Sequence, residues 1–159
     1  MKIVSLVLLL LSVTVAGEKD DIWAAVISTW ESDLAGEDWI SKHCVDGVLA
    51  WSVDNPMPLD KPSLLRNRKY TSKNSEMLFY DVQLAGIAVQ ANTAVVHYYF
   101  TNERKDAEGK IKKDNGRLTD ILIKENLKWM YLAWSVDNPM PLDKSHTPPR
   151  SHQGDSYPT

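Results

Sequence analysis

Two pairs of side chains give this 159-residue chain its clearest potential for chemistry. His97 and Tyr99 lie two residues apart in "NTAVVHYYF", and Arg117 and Thr119 lie two apart in "GRLTDILIKENLKW". Residues two apart in a strand point to the same face. Histidine titrates near neutral pH and can act as a general acid or base, while a tyrosine hydroxyl or a guanidinium group can polarise a ligand oxygen. The pattern predicts a proton-transfer site with His97, Tyr99 and Arg117 as its catalytic groups.

Each of these residues also has a structural interpretation. His97 suits a hydrogen-bonded position in a core or in a dimer interface. Arg117 shares its predicted strand face with Thr119, Ile121 and Ile123. An arginine on an apolar, inward face is costly unless it is paired. Arg117 therefore binds an anionic or carbonyl ligand, pairs with a carboxylate, or lies exposed at a strand end.

Hydrophobic periodicity predicts the elements that position these residues. Helical spacing predicts helices over Asp20–Leu34, Glu37–Cys44 and Lys61–Tyr70, and alternation predicts a strand over Val48–Val53. Four further strands are predicted over Met77–Ala88, Thr93–Glu103, Lys110–Lys124 and Leu127–Val136, and their short connections indicate an antiparallel meander. This order predicts an α+β fold with a curved antiparallel sheet closed by three N-terminal helices. Three helices cover one sheet face, so the outer face is predicted to form a homodimer.

The composition narrows the possible functions. The formal net charge is −3, and no basic stripe is present, which argues against nucleic-acid binding. Cys44 is the only cysteine, so we expect no internal disulfide and interpret this thiol as a small buried hydrophobe. The sequence contains no metal-ligand set, no glycine-rich phosphate loop and no nucleophile motif, so neither a metal nor a cofactor is predicted.

The two ends of the chain predict segments outside the domain. Lys2, an apolar run and the small residues Ala16 and Gly17 have the layout of a secretory signal peptide over residues 1–17. The alternative is an uncleaved anchor helix, although the run is short for a membrane span. Residues 18–137 are predicted to form the domain and residues 138–159 a disordered tail. We expect a secreted or periplasmic protein that has no membrane contact after signal cleavage.

The thirteen residues "LAWSVDNPMPLDK" occur twice, at 49–61 and at 132–144. Alternation predicts that each copy begins as a strand and leaves the strand through a proline loop. Either both loops flank the mouth of a binding site, or a copying event replaced the end of the last strand. The identity of every residue favours copying.

The order of elements resembles the nuclear transport factor 2-like superfamily, in particular its SnoaL-like branch of small bacterial proteins. The stretches that carry the resemblance are "WESDLAGEDWISKHCVDGVLAWSVDNPMPLDK", "NTAVVHYYF", "GRLTDILIKENLKW" and "MYLAWS". The resemblance implies a cone-shaped sheet around a ligand-binding hollow, with dimers through the outer sheet face. The superfamily includes ketosteroid isomerase, scytalone dehydratase, polyketide cyclases and members without known activity, so the fold alone does not define a function.

The resemblance also suggests where a ligand would bind. Trp51 and Trp134 are predicted to line the hollow, and Thr119 belongs to an arginine–threonine pair that recurs at the cavity wall of relatives. Trp51 takes the place of the catalytic aspartate of ketosteroid isomerase, and the histidine that many relatives carry near Ser135 is absent. Both departures argue against that isomerase chemistry.

Two functions follow from the sequence. The first is an exported domain that binds an apolar small molecule with a carbonyl or acidic group, with isomerase, dehydratase or cyclase-type proton transfer as its potential reaction. The second is a non-catalytic dimeric module that binds a ligand or another protein. The sequence does not decide whether the protein is an enzyme.

Overall fold

The structure, a computed structural model, describes residues 17–52 and 55–137. The elements are α1 (Glu18–Leu34), α2 (Trp39–His43), β1 (Cys44–Trp51), β2 (Leu59–Asp60), α3 (Lys61–Asn74), β3 (Ser75–Gln90), β4 (Thr93–Asp106), β5 (Ile111–Glu125) and β6 (Lys128–Asp137). The predicted order of helices and long strands is confirmed. Apart from Gly17, the predicted signal peptide lies outside the described residues, as does the predicted tail.

The strands form one curved six-stranded sheet in the order β2-β1-β6-β5-β4-β3. Strands β3 to β6 make the predicted antiparallel meander. Strand β1 joins this meander by pairing with β6 in parallel, which the sequence did not predict. Parallel neighbours need a long crossover connection, and α3 with the first three strands of the meander supplies it.

The helix starts show why the chain turns where it does. The carboxylate of Asp60 accepts a hydrogen bond from the Ser63 amide at 3.0 Å and caps α3, as the sequence predicts. Pro62 lies in the first turn of α3, where a missing amide hydrogen costs no helical hydrogen bond. Helix α1 begins at Glu18, earlier than predicted, and the Gly17 amide donates to the Asp20 carboxylate at 3.0 Å.

The core lies between the helices and the inner face of the sheet. On β4 the buried residues alternate along the strand, as do those of β5, and each set faces the helices. The core includes Ile22 and Val26 of α1, Val48 of β1, Val96 of β4 and Leu122 of β5. Cys44 is buried too, and burial raises the pKa of its thiol to about 12, so the thiol stays protonated at neutral pH.

The two copies of the repeated sequence lie side by side. Leu49 pairs with Ala133, Ala50 with Trp134 and Trp51 with Ser135, which is an offset of one residue between identical segments. An offset of one residue exchanges the two faces of a strand. The second tryptophan therefore faces inward and the first outward. The proline loop of the second copy lies outside the described residues, so neither explanation of the repeat is tested.

Gly116 offers a test of the packing between the last strands. A Cβ atom at this position would lie 2.7 Å from the Asp137 carbonyl oxygen and 2.7 Å from a ring carbon of Phe100. Gly116→Ala should therefore lower the free energy of unfolding by about 1–3 kcal/mol, measured by urea denaturation. Gly47→Ala is the control, because no described atom lies within 4 Å of a Cβ atom there. Equal unfolding midpoints for the two variants would contradict this packing.

Candidate functional site

A cavity of about 160 Å³, called the aromatic cavity below, lies between the inner face of the sheet and the helices α1 and α2. Helix α1 contributes Trp30, α2 contributes Trp39, and β6 contributes Trp134 to its wall. The rings of Trp39 and Trp134 lie 5.4 Å apart between centroids. An apolar cavity of about 150 Å³ accommodates one benzene ring. The space therefore suits a single flat ring between aromatic side chains.

The carboxyl group of Asp120 on β5 lies in this wall, and 1% of the residue's surface is exposed. Burial raises its pKa, and the nearby hydroxyls of Tyr98 and Tyr131 lower it, with a net value of about 7. The Asp120 oxygen Oδ2 is buried and has no hydrogen-bond partner among the described residues. Buried polar atoms in proteins are usually paired, so an unpaired oxygen in a cavity wall is notable.

The two tyrosines beside Asp120 are oriented by helix α1. The indole nitrogen of Trp30 donates a hydrogen bond to the Tyr98 hydroxyl at 3.2 Å. Since an indole nitrogen can only donate, Tyr98 accepts there and keeps its own hydrogen for Asp120 or a ligand. Burial raises the pKa of Tyr98 and Tyr131 well above the usual range, so both remain neutral donors. This part of the wall thus combines the Asp120 carboxyl group with two hydroxyl donors.

An ion-paired cluster forms a second polar part of the wall. Asp33 of α1 accepts hydrogen bonds from Arg68 Nη1 at 2.5 Å and from Arg104 Nη2. Arg68 also donates to the Glu37 carbonyl oxygen from two nitrogens, at 3.2 and 2.7 Å. The Asp33 side chain is 12% exposed, so the pairs are largely shielded from solvent. Two guanidinium groups on one carboxylate leave one positive charge in excess.

The predicted catalytic residues are brought together elsewhere. His97, Tyr99 and Arg117 lie with Thr119 along an open groove of about 260 Å³ on the outer sheet face. The hydroxyl of Thr119 is 2.9 Å from His97 Nδ1, and Arg117 Nε lies 3.6 Å from an Asp137 carboxylate oxygen. The structure therefore places them away from the cavity between the sheet and the helices. Both faces of β4 carry apolar residues, and the helices pack against the face opposite His97 and Tyr99. Their catalytic roles stay a prediction.

The two tryptophans predicted to bind ligand lie on opposite faces. Trp134 lines the aromatic cavity, and its contact with a ligand stays a prediction. Trp51 is 50% exposed, and its indole nitrogen donates to the Asn55 carbonyl oxygen at 3.0 Å. The expectation that Trp51 lines the hollow is wrong because of the one-residue offset between β1 and β6. The inner face of β1 presents Val48 and Ala50 instead.

Asp120 lies outside the set of site residues predicted from the sequence. A signal was present, because Asp120 alternates with Leu118 and Leu122 on one face of a predicted strand. A carboxylate between two leucines on a buried face requires a compensating partner or a function.

Within the described residues, no helix is long and apolar enough to cross a membrane. No three histidine, cysteine, aspartate or glutamate side chains in the same part of the chain are grouped as metal ligands would be.

Comparison with known proteins identifies the fold. No protein-family profile matches the sequence, and no curated protein matches it. Solved structures do match. A ketosteroid isomerase-like protein from Erwinia carotovora atroseptica is 14% identical, with a TM-score of 0.66 over 76% of this chain and 95% of that chain. A nuclear transport factor 2-like protein from Cytophaga hutchinsonii is 12% identical, with a TM-score of 0.67 over 77% of this chain and 99% of that chain.

A candidate calcium/calmodulin-dependent kinase II association domain from Exiguobacterium sibiricum is 8% identical, with a TM-score of 0.68 over 80% of this chain and 97% of that chain. Such low identities establish a shared fold and nothing finer. They confirm the predicted nuclear transport factor 2-like fold, while the SnoaL-like branch stays a prediction.

The buried carboxyl group should make stability depend on pH. A folded-state pKa of about 7 lies above the ordinary 3.8, so Asp120 stabilises the fold at low pH and loses that effect as pH rises towards 7. Relative to Asp120→Asn, the wild type should lose roughly 2–3 kcal/mol of unfolding free energy between about pH 5 and about pH 8. Urea denaturation at both values measures this difference. Asp21→Asn, at an exposed position, is the control. A constant difference between wild type and Asp120→Asn would contradict the raised pKa.

Proposed function

We propose that this chain, which has the nuclear transport factor 2-like fold, binds a small ring-containing molecule in the aromatic cavity and exchanges a proton with it through Asp120. One observation carries the proposal. Asp120 is fully buried in the wall of a ring-sized cavity, and its Oδ2 has no partner among the described residues. A ligand with a carbonyl or hydroxyl oxygen would supply that missing hydrogen bond.

The environment of Asp120 suits acid–base chemistry. With a pKa of about 7, the group is present in both protonation states near neutral pH. The protonated form donates a hydrogen bond to a carbonyl oxygen, and the ionised form accepts a proton from the ligand. A buried neutral acid beside a tyrosine hydroxyl is an effective stabiliser of a developing enolate oxygen. Tyr98 and Tyr131 are the donors that would share that charge.

These features support the reaction class that the sequence suggests. Isomerisation, dehydration and cyclisation each move a proton next to a polarised oxygen, and none requires a nucleophile. The inner face of β1 offers Val48 and Ala50, without a carboxylate. Asp120 would therefore be the acid or base of the cavity, and the two tyrosines would polarise the ligand oxygen.

Binding of 4-nitrophenol tests this assignment. The compound has one ring, and its oxygen can pair with Asp120, Tyr98 and Tyr131. Absorbance titration should show saturable binding to the wild type. Asp120→Asn should weaken that binding about tenfold, since hydrogen bonds to charged groups contribute about 1.5–3 kcal/mol. His97→Gln should leave it unchanged, because His97 lies on the outer face.

The two variants, Asp120→Asn and His97→Gln, distinguish binding in the aromatic cavity from binding in the outer groove. Weakened binding in His97→Gln with full binding in Asp120→Asn would assign the site to the outer groove that contains His97, Tyr99 and Arg117. A wild type that does not bind 4-nitrophenol would overturn the proposed function. Thermal unfolding of both variants shows whether either loss is a folding defect.

The second candidate function is a non-catalytic dimeric module. Its support is the outer sheet face, where Tyr99 is 56% exposed beside the ion pair of Arg117 and Asp137. A large exposed aromatic residue on an uncovered sheet is typical of an association surface. The similar protein that is a candidate association domain supports the same interpretation.

Analytical ultracentrifugation tests the dimer. Tyr99→Asp should convert a dimer to a monomer, because it removes the exposed aromatic ring and places a charged carboxylate inside the interface. Leu127→Asp is the control, since Leu127 is 90% exposed in the turn between β5 and β6. A dimer that survives Tyr99→Asp would contradict assembly through this face.

We also propose that the protein is exported to a secreted or periplasmic location. The support is the layout of residues 1–17, which lie outside the described part of the chain except for Gly17. Its ligand would then be a molecule available outside the cytoplasm.

A further inference from the structure

We infer that the ligand of the aromatic cavity carries a carboxylate and that Arg104 binds it. This inference rests on the proposed function, because it adds a second polar contact to the same ligand. Its starting point is the position of Arg104 on β4. The residue lines the aromatic cavity, a neighbouring cavity of about 180 Å³ against α3, and an open groove of about 500 Å³.

The hydrogen bonds of the ion-paired cluster of Asp33, Arg68 and Arg104 leave Arg104 with donors for a ligand. Arg68 makes three, one to Asp33 and two to the Glu37 carbonyl oxygen, and its side chain is 10% exposed. Arg104 makes one, from Nη2 to Asp33, and is 26% exposed. Its remaining N–H groups have no partner among the described residues. A guanidinium group carries five N–H donors in a planar fork, which matches a carboxylate in bidentate geometry.

The carboxylate of Asp33, which also accepts a hydrogen bond from Arg68, holds the Arg104 guanidinium group in place. Asp33 lines both the aromatic cavity and the cavity against α3, so the ion-paired cluster stands between them. The buried carboxylate fixes one side of Arg104 and leaves the other directed at cavity space. An arginine that is already ordered loses little side-chain entropy when a ligand binds.

The charge around the cluster favours one negative charge. Arg68 and Arg104 share Asp33, which leaves one positive charge unmatched. Lys112 is the cross-strand neighbour of Arg104, and in the 500 Å³ groove beside them Lys112 and Lys113 balance Asp106 and Asp114, so the net positive charge is that of Arg104. A groove with net positive charge attracts anions towards its end. The single excess charge matches a carboxylate better than a doubly charged phosphate.

The walls define the rest of the ligand. Trp30, Trp39 and Trp134 accept one ring, and Asp120 lines the same cavity as Arg104. An aromatic or alicyclic ring with a short acidic side chain fulfils both requirements. Its ring would lie between the tryptophans, and its carboxylate would reach Arg104.

Cinnamate and cinnamamide provide a matched pair of probes, because they share a ring and a side chain and differ in charge. Isothermal titration calorimetry of the full chain at neutral pH should show cinnamate binding about tenfold more tightly. Arg104→Gln should abolish this preference and leave the affinity for cinnamamide unchanged. Arg104→Lys keeps the charge without the fork and should keep part of the preference. Lys128→Gln, exposed at the start of β6, removes the same charge and should behave as the wild type.

The wild type by itself can overturn the inference, even if Arg104→Gln fails to fold. Equal affinities for the two probes, or no binding of either, would exclude the carboxylate subsite. If Arg104→Gln still prefers cinnamate over cinnamamide, Arg104 does not bind the carboxylate. If Lys128→Gln loses this preference, the preference arises from the overall positive charge of the protein and not from Arg104. The proposed function fails separately, through 4-nitrophenol. If the wild type binds 4-nitrophenol without preferring cinnamate, the cavity function stands and this inference falls.

Discussion

The shielding of the Asp120 carboxyl group from water is the constraint on which the arrangement of the interior depends. A buried ionised carboxylate without a partner is costly, and a protein reduces the cost by keeping the group neutral or by supplying donors. Both occur here. Burial raises the pKa to about 7, and Tyr98 and Tyr131 interact with the carboxyl group from neighbouring strands. The position of Trp30 on α1 then follows, because its indole nitrogen orients Tyr98.

The period of two along each strand separates two surfaces of one sheet. On β4, Tyr98 faces the cavity, while His97 and Tyr99 face outward. On β5, Asp120 faces the cavity, while Arg117 and Thr119 face outward. Interior binding and outer-face association can therefore coexist in one chain, and a change on one surface need not alter the other.

The elements of this fold could be predicted from sequence because they depend on local patterns. Helical spacing, the Asp60 cap and the short turns of the meander all lie within a few residues of the structure they specify. The parallel pairing of β1 with β6 could not be predicted in this way, since it joins segments that are distant in the chain. The one-residue offset in that pairing decides which copy of the repeat faces inward, and the identical sequences contain no information on it.

The candidate site was harder to predict than the fold for a related reason. The two faces of β4 are both apolar enough to be buried, so hydrophobicity alone did not identify the inner one. Interpretation of His97 as the acid or base followed from its residue type, whereas the candidate acid in the structure is Asp120, whose pKa is set by its surroundings. The contacts of Asp120 with Tyr98 and Tyr131 exist only once three strands are in register.

The most direct measurement is the infrared absorption of the Asp120 carboxyl group as a function of pH. The difference spectrum between the wild type and Asp120→Asn isolates the carbonyl stretch of the protonated acid. The account predicts that this band is present in mildly acidic solution and disappears with a midpoint at about 7. A band that has already disappeared close to the ordinary value of 3.8 would show an ionised, well-solvated carboxylate and would contradict the central claim.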